Sequence, residues 1–319
     1  MMCFVNEVGK IMKRWLILLV VFVSQISMAN ELKNYKFEFS INNMHCSFRI
    51  NGVPIYTTFG SYRNPIGVTS GYTAGHALDD GRNEIEIEAY NITDVFNLGD
   101  QANGHCQVII NEISKDGITA IASLRVVYND ENKLSIDYPT NLGQSNILEI
   151  AEIESIPNRM VGKFDTPRLK AKRGFAIQHP ANLSWRKSTP FKDTPENKQK
   201  VWEKYNELRN ALKKSDVASF TKMMQPGWGD VAAFEGRTAD NYVKMMENSL
   251  LLDFLDLKPQ YWVDTKIEDY DLRLYAGGRL FQLVAKNSEN GSPIEIQTNQ
   301  VTTLNPMLMY LDGEIQIAW

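Results

Sequence analysis

The stretch that decides the fold is Leu78–Asn91, which reads L-D-D-G-R-N-E-I-E-I-E-A-Y-N. Its polar start, Asp79-Asp80-Gly81, is typical of a turn, and apolar and polar residues alternate strictly after it. One side of the alternation holds Ile85, Ile87 and Ala89, and the other holds Glu84, Glu86 and Glu88. Period two with β-branched residues on one side predicts a β-strand half buried against a core. We interpret the glutamates as a solvated outer face or edge that discourages pairing with another sheet.

On both sides of this strand, residues 30–160 are predicted to form an all-β sandwich. The run F-E-F-S-I at 37–41 alternates, Asn51-Gly52 is the favoured pair for a type I′ hairpin turn, and Asp116-Gly117 marks another turn. Short strands separated by such turns, without a helical pattern between them, indicate antiparallel pairing.

Two segments carry a resemblance to a known family of sandwiches. F-R-I-N-G-V-P-I-Y at 48–56, followed by the stretch at 78–91, resembles the jelly-roll sandwich of galactose-binding-like modules over roughly 100 residues. The resemblance implies a fold. It does not imply sugar binding, because the glycan contacts of that family lie on loops that vary freely.

The residues that follow, 161–193, are predicted to be a linker. Lys163–Arg173 is locally basic and contains Pro167, which is typical of a solvated connector.

Residues 194–319 change to a helical period and are predicted to form an α+β domain. Thr194 is a suitable N-cap with Pro195 at the first helical position, and a second helix is predicted to stop at Pro226-Gly227. After Pro259 the pattern returns to antiparallel strands. The helix W-E-K-Y-N-E-L-R-N-A-L-K-K-S-D at 202–216 and this order of elements resemble the NTF2-like fold over roughly 125 residues, which implies helices on one face of a curved sheet.

The first 29 residues are predicted to be a signal peptide. Lys13-Arg14 precede the apolar run Trp15–Val23, and Ser27-Met28-Ala29 supplies small residues before a cleavage site at Asn30. Either Met1 or Met12 can serve as the start, and an uncleaved helix is the alternative interpretation. We therefore expect a periplasmic or secreted protein with no stable membrane insertion after cleavage.

The two cysteines after that segment, Cys46 and Cys106, predict one disulfide in an oxidising compartment. A closed loop of about 60 residues contributes roughly 4 kcal/mol in the chain-entropy model. The alternative is a metal site of His45 and His105 with Met44, whose ligand types suit copper or zinc. No ligand spacing supports the metal, so the sequence favours a structural disulfide without a cofactor.

Other side chains are candidates for binding or catalysis. Tyr62, Tyr72 and Trp228 are aromatic residues in predicted loops, where they can stack on sugars or contact a protein. Because residues 180–319 contain no histidine or cysteine, an enzyme there needs carboxylates with tyrosines. The candidates are Asp264, Glu268 and Asp271 with Tyr261, Tyr270 and Tyr275.

Composition narrows the function. A formal net charge of −4 without a run of lysine and arginine argues against nucleic acid as a partner. We expect an exported, non-catalytic protein of the cell envelope that binds another protein, and a toxin-neutralising immunity protein is one version. The alternatives are a glycan-binding module and a small-ligand binder or carboxylate-based enzyme in the NTF2-like pocket.

Overall fold

The computed structural model of the chain describes residues 34–58, 67–73, 75–91, 104–114, 117–128, 134–137, 153–161, 164–178, 182–235, 237–249, 254, 259–286, 291–297 and 301–319. The predicted signal peptide lies outside these residues. Within them the chain is mostly antiparallel β-sheet with three helices, which confirms a β-rich fold.

In the described part of the chain, ten strands precede the helices and form two five-stranded antiparallel sheets. The first sheet has the order β4-β1-β6-β7-β8 and the second has the order β3-β2-β5-β10-β9. The strands are β1 (Asn34–Asn42), β2 (Met44–Ile50), β3 (Val53–Thr57), β4 (Val68–Thr73), β5 (Gly81–Asn91), β6 (Gly104–Ser114), β7 (Gly117–Tyr128), β8 (Leu134–Asp137), β9 (Ile153–Val161) and β10 (Phe164–Ile177).

The two sheets enclose an aromatic core, and the alternation seen in the sequence decides what enters it. The rings of Phe37 and Phe39 in β1 lie 5.9 and 5.4 Å from that of Phe48 in β2. The apolar residues of β5, including Ile85 and Ile87, are fully buried on the same side. The inner faces of both sheets thus pack as in a β-sandwich.

The predicted strand at 84–90 has a different position from the one expected. β5 lies in the middle of its sheet, between β2 and β10, rather than at an edge. The polar side of the strand is not solvated either, because the Glu86 and Glu88 side chains are only 6% and 9% exposed and form ion pairs. Alternation indicates the two faces of a strand, but it does not identify the neighbouring strands.

The predicted linker at 161–193 is wrong. Its first half forms β10, which pairs with β5 from Arg168 opposite Tyr90 to Ile177 opposite Gly81. The basic residues that suggested a solvated connector alternate along this strand and face the glutamates of β5. The β-sandwich therefore extends to residue 177 instead of ending at 160.

A second lobe follows the sandwich. Its helices are α1 (Pro195–Lys213), α2 (Val217–Phe234) and α3 (Ala239–Ser249). A four-stranded sheet has the order β11-β12-β15-β16, and β13 pairs with β14 as a hairpin. These strands are β11 (Tyr270–Tyr275), β12 (Leu280–Ala285), β13 (Ile294–Gln297), β14 (Val301–Leu304), β15 (Leu308–Leu311) and β16 (Glu314–Ile317). In the described part of the chain, no helix has the length and apolar character that a membrane crossing requires.

The helix starts follow their sequence signals, but one predicted end does not. The Thr194 hydroxyl accepts a hydrogen bond from the Asn197 amide at 3.2 Å, as expected for an N-cap. α2 continues through Pro226-Gly227, where a stop was predicted, and ends at Phe234. A Cβ at Gly227 would lie 2.7 Å from the Ala318 carbonyl carbon, so the missing side chain allows the helix to pack directly on the chain end.

The second lobe has a core of its own and also contributes a few buried residues to the core of the sandwich. Phe234, at the end of α2, and Met309 in β15 belong to the same buried cluster as the aromatic residues of the sandwich. Phe234 lies so close to Gly75 that any Cβ there would overlap the ring. Beside this contact, Asp79 pairs with Arg279 at 2.5 Å and with Arg186 at 3.8 Å.

Candidate functional site

A cleft of about 490 Å³ opens where the sandwich meets the second lobe. The start of β1, the end of β6 and the middle of β4 form one wall, and the end of α2 forms the other. The residues that line it are Asn34, Tyr35, Lys36, Gly71, Ile113, Phe234, Glu235 and Arg237. Phe234, which contacts Gly75 of the sandwich, is one of the lining residues, so the helix end lies against the sandwich at this cleft.

The charged groups of the cleft are paired with each other. Lys36 Nζ lies 2.8 Å from Glu38 Oε1, and Arg237 Nε lies 3.1 Å from Glu235 Oε2. Both pairs are at least partly exposed, so they add little to stability. The cleft therefore presents both signs of charge rather than a single-sign field.

The tyrosine of the cleft is a structural group. Tyr35 is buried and donates a hydrogen bond from its hydroxyl to the Gln178 carbonyl oxygen at 2.8 Å. Burial and the neighbouring Glu112 carboxylate raise the pKa of Tyr35 to about 12. A phenol with such a pKa does not act as a base near neutral pH.

Apolar side chains continue the cleft onto the open surface. Ile113 and Ile118 are directly opposite each other across the β6–β7 hairpin. Ile113 is 37% exposed and Ile118 is 65% exposed. Met245 of α3 is also exposed, and its sulfur lies 3.0 Å from Arg237 Nη1. We call Ile113, Ile118, Met245 and the cleft residues together the cleft surface. A contiguous exposed apolar patch rimmed by polar residues is a feature that protein interfaces share.

The predicted disulfide is present, whereas the two histidines next to it do not converge. Cys46 in β2 and Cys106 in β6 are bonded and connect the two sheets. His45 Nδ1 lies 3.1 Å from the Thr58 carbonyl oxygen, and His105 Nε2 lies 2.9 Å from Ser40 Oγ. Burial lowers the pKa of both imidazoles, with the Arg125 guanidinium adding to the effect at His105. No group of three metal-ligating side chains occurs within the described residues.

The three aromatic residues proposed for binding have different positions. Tyr62 lies outside the described residues. The backbone of Tyr72 pairs with Phe37 in the first sheet, and its side chain is outside the description. Trp228 lies within α2, is 2% exposed and packs edge-on against Phe220. Its ring is part of the second-lobe core and offers no surface to a ligand.

The predicted carboxylates and tyrosines of the second lobe do not form a site. Asp264, Glu268 and Asp271 are exposed at the surface. Tyr270 is buried and donates to the Ser292 carbonyl oxygen at 3.1 Å, and burial raises its pKa to about 12. The space between the helices and the sheet is occupied by packed side chains, among them Val201, Tyr205, Leu208, Phe281 and Leu283.

The glutamates of β5 are structural as well. Glu86 pairs with Arg49 of β2 at 2.7 Å and with Lys170 of β10 at 3.1 Å, and Glu88 pairs with Arg168 at 2.7 Å. Burial opposes the charged form of Glu86, but the cations on both sides hold its pKa below the usual value. A carboxylate held ionised in this way cannot serve as a general acid at neutral pH.

Searches of protein-family models, of curated proteins and of solved structures found nothing that matches this chain. The site is therefore interpreted from its own geometry.

Sequence reasoning missed the residues of the cleft surface, although a signal for two of them exists. Ile113 and Ile118 lie on either side of a hairpin turn, where the sequence N-E-I-S-K-D-G-I-T is otherwise polar. Two β-branched residues beside a turn are unusual for a solvated hairpin end. The contribution of α2 had no such signal, because it depends on how the lobes pack.

Proposed function

We propose that this chain is an exported, non-catalytic binding protein that captures another protein through the cleft surface. The observation that carries the proposal is the exposed pair Ile113 and Ile118 beside a cleft with two partly exposed ion pairs. Apolar residues surrounded by polar ones are what protein interfaces bury. Neutralisation of a delivered toxin is one concrete version of this function.

Two features support the proposal that the protein is exported and that its second lobe is an NTF2-like binding domain. The disulfide is compatible with export, because such bonds persist in oxidising compartments such as the periplasm and the exterior. The order of the second lobe, helices followed by antiparallel strands, is in keeping with an NTF2-like domain. Its interior is filled by side chains, which favours a binding role over a pocket enzyme.

The proposal is tested by photo-crosslinking. A photoreactive amino acid replaces Ile118, and a second variant carries it at Glu207, which is exposed on α1. In envelope and secreted fractions we expect one specific protein adduct from position 118 and none from position 207. Adding Ile113→Lys should remove the adduct, because a charge then enters the apolar contact. Absence of an adduct at 118, or the same adducts at both positions, would overturn the proposal.

A small-ligand function retains one supporting observation, the size of the cleft. Its volume of about 490 Å³ falls within the usual range for ligand sites. This alternative predicts that a compound copurifies with the protein and is lost in Arg237→Ala. Mass spectrometry of the denatured protein measures it, and a ligand-free spectrum for the purified wild type excludes it.

A further inference from the structure

Among the strands that the structure describes, four lie at the edges of the sandwich: β3, β4, β8 and β9. An edge strand presents backbone N–H and C=O groups that can pair with another chain. Proteins usually protect such edges with proline, bulges, charged residues or very short strands.

Three of the four edges carry such protection. β3 contains Pro54 and has a register shift against β2. β9 contains Pro157 and has a register shift against β10. β8 has only four residues and carries Asp137, which pairs with Arg125 at 3.3 Å.

β4 lacks all of these features. Its six residues, V-T-S-G-Y-T, include no charge and no proline. Its register with β1 runs without interruption from Val68 opposite Ile41 to Thr73 opposite Lys36. Thr69 and Gly71 are exposed, and among the described residues no strand pairs with its outer side.

We propose that the occupant of this edge is β4 of a second copy of the chain, paired antiparallel about a two-fold axis. A two-fold interface requires a patch that is complementary to itself. An uncharged strand meets this requirement because no like charges oppose each other, and Gly71 adds no side chain at the middle of the contact. Pairing joins the two first sheets, each of five strands, into one sheet that continues across the dimer.

The dimer is expected to depend on concentration. A strand of this length buries less than a standard interface of about 1,200–2,000 Å². Gly71 lies on this edge and also lines the cleft, but the test of partner capture uses Ile113 and Ile118 on the β6–β7 hairpin, so the two proposals are tested at different residues.

The test measures the mass of the purified, processed protein by sedimentation over a concentration series. We compare wild type with Thr69→Lys, which places two like charges at the joined edges, and with Gln107→Lys as the control. Gln107 is partly exposed in the same sheet, and its backbone is paired on both sides, with Ser40 of β1 and Arg125 of β7. Wild type and the control should approach the dimer mass, whereas Thr69→Lys should dissociate at a concentration at least tenfold higher.

Amide hydrogen exchange of the wild type gives a second measurement that does not depend on a variant. Exchange of the β4 amides should slow as the concentration rises, while that of the β8 amides at 134–137 should not change. A wild type that stays monomeric at every concentration would overturn the proposal. So would a Thr69→Lys variant that dimerises as well as the control.

Discussion

At the scale of single residues, the disulfide between two cysteines stabilises the fold. Cys46 and Cys106 are separated by 60 residues and connect strands of opposite sheets. Because closing a loop of that length restricts the unfolded chain, we expect the double change to serine to lower the free energy of unfolding by about 4 kcal/mol. Urea unfolding measures it. As the control, a reductant should destabilise the wild type and leave the double variant unchanged, and equal stability of the two oxidised proteins would contradict the prediction.

The single residue Glu86 also makes the free energy of unfolding depend on pH. Its pKa is depressed from 4.5 in the fold, so its contribution is present above 4.5 and is lost as the pH falls through the folded value. We expect Glu86→Gln to cost about 2 kcal/mol at pH 7, because the partly buried Arg49 and Lys170 lose their partner. The difference from wild type should shrink below pH 4.5.

The matched control is Glu84→Gln on the same strand. The Glu84 side chain is 42% exposed and pairs with Lys172 at 3.0 Å. An exposed pair contributes less than about 1 kcal/mol, so the variant should stay close to wild type at every pH. Urea unfolding from pH 7 to pH 3 checks both variants, and a constant gap for Glu86→Gln would count against its ionised role.

These ion pairs also show what the residues of one segment cannot predict, namely which strand pairs with it. The spacing of Glu84, Glu86 and Glu88 predicted a strand and its two faces. Arg168, Lys170 and Lys172 show the same spacing with the opposite charge. The opposite charges at equal spacing indicate that the two segments pair with each other. This indication is visible only when both segments are compared. Taken alone, each segment looks solvated, and for this reason the second one was interpreted as a linker.

At the scale of the element, two glycines of α2 allow the effect of helix propensity on stability to be measured separately from the effect of packing. Its two glycines differ in surroundings, because a Cβ at Gly227 meets the backbone of Ala318 and Trp319, whereas a Cβ at Gly229 meets nothing within 4 Å. Gly229→Ala should therefore stabilise the protein by about 0.5–1 kcal/mol through better helix propensity. Gly227→Ala should destabilise it by about 1–3 kcal/mol, because the helix must move away from the chain end.

The two variants control each other, because the substitution and the helix are the same and only the neighbours differ. Thermal unfolding of both proteins measures the signs. Stabilisation by Gly227→Ala would show that the helix does not rely on close contact with the chain end. The same contact explains why the predicted end of this helix is wrong: Pro226-Gly227 is a stop signal, and tertiary packing overrides it.

For the whole molecule, the important feature is that the lobes are packed together and not merely connected in sequence. The sequence predicted a sandwich and a helical part, because hydrophobic periods are local properties. It did not predict the contact of Phe234 with Gly75 or the pairing of Asp79 with Arg279, which are separated by 159 and 200 positions. The cleft depends on these contacts, so it could not be located from periodicity.

The buried residues that the second lobe contributes to the sandwich core make a prediction about cooperativity. Phe234 is 4% exposed and belongs to the same buried cluster as the sandwich core, so the wild type should unfold in a single transition that far-UV and near-UV circular dichroism report alike. Phe234→Ala should cost about 3–5 kcal/mol and separate the transitions of the two lobes, because the cavity lies where they meet. Ile118→Ala, at a residue that is 65% exposed, is the control and should change stability by less than about 0.5 kcal/mol. Two transitions already present in the wild type would contradict a common core, and so would a Phe234→Ala protein as stable as the control.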